Sequence, residues 1–166
     1  MVAVKTRYRK PPPTLLQARV VEYAILPKSI PFLVNTSFLV GDSGGPLKPL
    51  GRVPRLAICQ DTAGEIQLLF CKSNWASAFH TNCKSLAQAK ARAESSYPGS
   101  SGHWHVANVT EAGAAKHLER IWGRHRCHFC LKTPLQHHES VFQQGRGRIC
   151  GACVRELAER LSEARG

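Results

Sequence analysis

The chain has 166 residues, 43% of them hydrophobic, and carries 23 Lys/Arg against 11 Asp/Glu, a formal charge of +12. That length leaves room for one ordinary domain, or for a small domain joined to a metal-stapled module. No apolar run reaches the ~18 residues that a membrane-spanning helix needs, and the most apolar stretch, Val20 to Val40, is interrupted by Glu22, Pro27, Lys28 and Pro31.

The charge is uneven. Residues 1–55 hold nine Lys/Arg against two Asp/Glu, residues 56–122 six against five, and residues 123–166 eight against four. A basic balance is compatible with nucleic acid or another anionic partner. A basic tail and a module that offsets metal-bound thiolates also account for it without any polyanion. Seven cysteines, an odd number, and no visible secretion signal point to a reducing, cytoplasmic setting and no membrane.

In chain order, residues 1–14 are basic and end in Pro11-Pro12-Pro13, which reads as a partly extended tail. Val20–Leu26 and Phe32–Val40 have strand character, but Pro27, Pro31, Pro46, Pro49 and Pro54 punctuate the region. Residues 1–54 are therefore expected to be a basic, Pro-rich, poorly ordered leader. Within it, Gly41-Asp42-Ser43-Gly44-Gly45-Pro46 matches the nucleophile signature of chymotrypsin-like proteases. That chemistry needs a His base earlier in the chain, and no His precedes Ser43. The motif is read as a turn.

Residues 55–122 read as a small α+β domain. Arg55–Gln60 and Glu65–Cys71 flank Asp61-Thr62-Ala63-Gly64, a hairpin signal. Trp75–Thr81 adds a third strand. Asn82 or Ser85 caps a helix running to Ser96, stopped by Tyr97-Pro98-Gly99. His103–Val106 returns as a short strand, and Thr110 caps a helix over Glu111–Trp122. Cys59, Cys71 and Cys83 have no metal-ligand spacing and are expected to be buried small side chains. Trp75 and Trp104 are expected to anchor the core.

Residues 123–166 carry the most specific pattern. Cys127-His128-Phe129-Cys130 and Cys150-Gly151-Ala152-Cys153 form two C-x2-C pairs. Zn²⁺ takes four soft ligands in a tetrahedron, and two such pairs close the cage with no position left for a catalytic water. Val154, Leu157, Ala158 and Leu161 fall on one helical stripe, so the second pair sits on the first turn of a helix. The free N–H groups there favour the thiolate charge. Gly145-Arg146-Gly147 marks a turn leading into a short strand at Arg148-Ile149. Redox dithiols, disulfides and iron are the competing readings. Neither pair opens a thioredoxin-like βαβ unit, the odd count disfavours disulfides, and neither pair is followed by Gly as in rubredoxin-type sites. The metal ligands are thus Cys127, Cys130, Cys150 and Cys153, the cofactor Zn²⁺. His125, His128, His137 and His138 are read as surface residues.

The run Cys-His-Phe-Cys-Leu-Lys-Thr, the later Ile-Cys-Gly-Ala-Cys-Val and the charged amphipathic helix after it resemble the N-terminal zinc-binding domain of ClpX, the unfoldase subunit of the Clp protease. Phe129, Lys132, Ile149 and Val154 match that pattern. The resemblance covers residues 124–164. The family usually has Gly after the second cysteine, where this chain has Leu131, and an acidic pair between the last two, where it has Gly151-Ala152. Here the module also follows the rest of the chain and has no ATPase beside it: no Gly-Lys pair exists, hence no Walker A loop. The resemblance implies a treble-clef-like unit that dimerises and recruits protein substrates or adaptors.

The sequence thus leads to an α+β protein with a small hairpin-and-helix domain and a treble-clef-like four-cysteine zinc module. Its expected role is non-enzymatic: dimerisation and binding of protein partners or unfolded protein. Phe129, Leu131, Val141 and Phe142 are the candidates for a presented apolar surface, since so small a module cannot bury all of them. The second reading is a nucleic-acid-binding zinc protein that sets Arg124, Arg126, Arg146, Arg148 and the basic N-terminus on phosphates.

Overall fold

The structure is a computed structural model and describes residues 10–34, 38–41, 46–137 and 141–164. Its first unit, up to Ala114, contains β1 (Thr14–Leu15), β2 (Ala18–Ile25), β3 (Leu39–Val40), β4 (Lys48–Pro49), β5 (Arg55–Gln60), β6 (Ile66–Cys71) and β7 (Ser77–Cys83), then α1 (Leu86–Ser96) and β8 (Trp104–Val106). Helix α2 (Glu111–Trp122) crosses into the second unit, which holds α3 (Pro134–His137), β9 (Val141–Gln144), β10 (Gly147–Cys150) and α4 (Gly151–Glu163). The division falls at Ala114 and Ala115, inside α2, rather than at the 122/123 boundary expected from sequence.

The first unit is built on an antiparallel sheet in the order β1-β2-β5-β6-β7, with β8 also paired to β2. The expectation of a poorly ordered leader over residues 1–54 does not hold for β2. Ala18–Ile25 pairs with β5 along its length and with β8 at Glu22, Tyr23 and Ala24, and Val20 and Ala24 are fully buried. The signal was weak for a physical reason. β1 and β2 are joined through Leu16 and Gln17, both at positive φ (46° and 70°), in a two-residue hairpin. Such loops ordinarily announce themselves by Asn-Gly or Asp-Gly, because both central residues must be left-handed. The protease-like motif at 41–46 lies mostly outside the described residues, as Asp42 to Gly45 are not among them.

Strand alternation sorts side chains onto two buried faces. Leu56, Ile58, Leu68 and Phe70 join a core beneath α1, with Ala89, Ala93 and Tyr97. Ala57, Cys59, Leu69 and Cys71 join Trp75 on the other face. In β2 the register against β5 shifts between Val20 and Glu22. One extra residue reverses the alternation, so Val20 and Tyr23 share the second face while Ala24 turns to the first. Trp75 is buried with Tyr23 edge-on at 5.7 Å and the Arg55 guanidinium 4.9 Å from its ring. It lies in the turn before β7, at φ 67°, and not in the strand expected over Trp75–Thr81.

The Pro-rich connection between β2 and β5 is laced to the first core. Arg52 donates to the carbonyls of Ile30 (2.6 Å) and Pro27 (2.8 Å), Val53 N–H donates to the Tyr97 hydroxyl (2.7 Å), and Ile30, Leu50 and Val53 are buried. The β5–β6 hairpin is where sequence placed it: the Asp61 carboxylate accepts from the N–H groups of Ala63 and Glu65, and Gly64 supplies φ 87°. Helix α1 begins at Ser85, whose hydroxyl accepts from Gln88 N–H while the Gln88 amide accepts from Lys84 N–H. Asn82, the other candidate cap, ends up in β7.

Glu94, near the end of α1, latches the turn that follows. Its carboxylate accepts from the N–H groups of Gly99 and Ser101 and from the Ser100 hydroxyl. The Gly99 N–H above all, with the Ser101 and Ser100 donors, lowers its pKa from the ordinary 4.5 against an opposing desolvation. A carboxyl with a depressed folded-state pKa contributes stability that is complete above its unfolded value and is lost as pH falls through the folded one. Glu94→Gln should therefore be less stable than wild type above about pH 5, with the gap closing below about pH 4. Thermal melts across that range check this, and a gap independent of pH would refute the latch.

Candidate metal centre

The second unit is organised by its cysteines. Cys127 and Cys130 bracket a tight turn in which Leu131 N–H donates to Cys127 C=O, and Cys127 N–H donates to Lys132 C=O (both 3.0 Å). The knuckle is tied to β10 through His128 N–H and the Arg148 carbonyl at 2.9 Å. Cys150 closes β10 and is the N-cap residue of α4, and Cys153 lies on the first turn of that helix. The sequence reading of a short strand at Arg148-Ile149 is met by β10. Its partner β9 went unread, although Gly145 at φ 59° and the Val141-Phe142 pair were the available signals.

All four sulfurs lie within 4.8 Å of one another. Cys127 and Cys153 sulfurs are 3.8 Å apart, and those of Cys130 and Cys150 are 3.9 Å apart. A tetrahedron of thiolates at a Zn–S distance of about 2.3 Å has edges of about 3.8 Å, so the donor set fits a metal ion of that kind. Cys127, Cys150 and Cys153 are buried and Cys130 is half-buried, with Val141 and Ile149 packed against them. Backbone N–H groups of Phe129 and Cys150 point at the Cys127 sulfur, each at 3.4 Å. Desolvation acts to raise the Cys127 thiol, but backbone donors from Cys130, Cys150 and Phe129 and the Cys130 side chain outweigh it and bring it down to about 6. Desolvation, then the neighbouring thiols, pushes Cys153 up to about 12. Without metal, Cys127 favours the thiolate and Cys153 keeps its proton. A bound cation displaces such a proton.

The remaining sequence candidates separate. His128 is exposed, and His125 lies beside the Trp122 ring at 5.9 Å. No histidine among the described residues joins the sulfur cluster, and His138 lies outside them. Phe129, Leu131 and Phe142 are exposed, whereas Val141 packs on the cysteines and leaves the candidate apolar surface. Arg126 is occupied by Glu119 and the Leu131 carbonyl. Arg148 stands next to Phe129 and Phe142 around one cleft. Val154, Leu157 and Leu161, whose helical stripe the sequence showed, lie exposed on α4. In the first unit, Cys59, Cys71 and Cys83 are buried in the two cores, and desolvation raises the Cys59 and Cys71 thiols. No helix among the described residues is long and apolar enough to cross a membrane. Comparison with protein-family models, curated proteins and solved structures gives no match for this chain.

Proposed function

We propose that the protein is a non-enzymatic zinc-binding protein, with Cys127, Cys130, Cys150 and Cys153 holding a structural ion and the surrounding module serving for self-association and for contact with a protein partner. The observation that carries this reading is the cluster of four sulfurs at tetrahedral-edge spacing. Four thiolates fill the coordination shell of zinc and leave no position for a reacting water. The order knuckle, β-hairpin, helix with the second pair at its start supports a treble-clef-like unit of the ClpX type. Leu131 adds to this. It holds φ 60°, the left-handed conformation that suits glycine, and glycine is what the ClpX-type pattern carries at that position.

Self-association is assigned to α4. Val154, Leu157 and Leu161 form a stripe at i, i+3 and i+7, and all are more than a third exposed. A stripe of that period has the form of one half of a helix pair. Metal analysis combined with light scattering tests both parts. One zinc per chain and a dimer are expected for wild type. Leu157→Asp is expected to be a monomer that keeps its zinc. Stoichiometric, chelator-resistant zinc in Cys150→Ser would overturn the ligand set, and a monomeric wild type with full zinc would overturn the self-association alone.

A further inference from the structure

Residues 124–148 carry five Lys/Arg and one acidic residue. The fold gathers part of this segment around an open cleft of about 560 Å³, lined by Phe129, Phe142, Gln143, Gly147, Arg148 and Ile149. Phe129 and Phe142 are 62% and 57% exposed, although each is carried on backbone that the cysteine cluster pins. Phe129 lies between Cys127 and Cys130 and donates its N–H to the Cys127 sulfur. Phe142 stands opposite Ile149, one residue before Cys150. Gln143 faces Arg148 across the same hairpin, and the Arg148 Nε donates to the Gln143 amide oxygen at 3.3 Å. That bond orients the guanidinium, whose terminal nitrogens meet no acceptor among the described residues.

The occupant must satisfy two demands at once. Exposed aromatic faces on a rigid mount favour a flat, apolar partner. Covering Arg148 with a purely apolar peptide would bury its unpartnered donors, which is costly. An acidic peptide answers the charge but brings no flat surface to the two rings. A single-stranded nucleic acid supplies both: unpaired bases that stack on aromatic side chains, and a phosphate backbone that meets cations. In a duplex the bases are stacked on each other and closed to the rings. We infer that this cleft binds single-stranded nucleic acid, with Phe129 and Phe142 stacking on bases and Arg148, with the neighbouring Arg146, meeting phosphate. The site is distinct from the α4 stripe. It rests on the metal reading, because the cysteine cluster sets the position of Phe129.

The test uses the full chain, with zinc content measured on every sample. Fluorescence anisotropy follows binding of a labelled oligothymidylate of about 12 nucleotides, and of a duplex of the same length, at about 50 and 200 mM salt. The single strand should bind more tightly than the duplex. Phe142→Ala should weaken it about 5- to 150-fold, Phe142→Trp should preserve binding, and Arg148→Gln should lower the log–log salt slope by about 0.7. Equal affinity for duplex and single strand, indifference to Phe142→Ala, or full displacement by polyglutamate would each overturn the inference, the last by showing attraction to negative charge alone. Absence of zinc from wild type would overturn the metal reading. Stoichiometric zinc with binding that ignores Phe142 would overturn this inference and leave the metal reading standing.

Discussion

Stripping the metal should unfold residues 127–163 while leaving the sheet of the first unit intact. The second unit has almost no apolar core besides its sulfurs: among the described residues its buried side chains are Cys127, Thr133, Cys150 and Cys153, with Val141 and Ile149 only partly covered. Of the module's other apolar residues, Phe129, Leu131, Val154, Leu157 and Leu161 are all exposed. A fully buried aliphatic side chain contributes about 1.5–3 kcal/mol, so two half-buried ones cannot hold a hairpin and a 13-residue helix. Structural zinc contributes on the order of 10–16 kcal/mol at neutral pH. Hydrogen exchange in excess chelator should show the amides of β9, β10 and α4 losing protection, with circular dichroism reporting the lost helix. Amides of β2, β5 and β6 should stay protected. Retained protection across α4 without metal would show that packing suffices and would remove the basis for a zinc-stapled module.

The second large effect belongs to Phe70. It is fully buried, and its ring lies 5.2 Å from Phe38, 5.9 Å from Phe79 and 6.5 Å from Tyr97. These neighbours come from the residue just before β3, from β7 and from the end of α1, so one ring joins three separate parts of the chain. Truncating a buried Phe costs about 3–5 kcal/mol, because the surrounding groups close the cavity only in part. Domains are stable by about 5–15 kcal/mol in total, and near 100 residues each kcal/mol moves the melting temperature by about 4–8 °C. Phe70→Ala should therefore melt far below wild type while keeping its full zinc content, since every ligand lies between Cys127 and Cys153. Val106→Thr, at a strand position that is 64% exposed, should change stability by less than about 0.5 kcal/mol. A Phe70→Ala protein within about 1 kcal/mol of wild type would mean that this core repacks freely, contrary to the tight interiors of folded proteins.

What could be read from sequence was local. The β5–β6 hairpin, both long helices α1 and α2, the short strand at Trp104 and the helix after Cys150 each carry their own signal: an Asx turn, a cap, a period or a Gly stop. The metal ligands were legible because coordination chemistry imposes their spacing whatever the fold around them. The residues that escaped are those whose state is decided elsewhere in the chain. β2 is a strand because β5 and β8 flank it, and no proline falls between Pro13 and Pro27, on either side of it. Val141 and Ile149 are partly covered because the pairing of β9 with β10 brings both against the sulfurs, while Phe142, opposite Ile149, stays exposed. The cleft beside them joins residues on both sides of Cys130, and no short pattern announces it.

The pairing of β2 with β8 also has a kinetic side. Glu22 pairs with Ile58 of β5 on one side, but on the other its partner is Val106, near the far end of the same unit, whereas the first and last cysteines of the cluster are 26 residues apart. Chain closure over longer loops costs more entropy, and folds rich in distant pairings form more slowly. On a ribosome, β2 and β5 can meet early, but one edge of β2 must wait until Trp104–Val106 has emerged. During that wait its backbone amides face solvent or whatever strand passes by. Once Cys153 has emerged, the cysteine cluster needs only an ion and a short loop. The two halves of the protein therefore run on different clocks, the later-made half free to finish first.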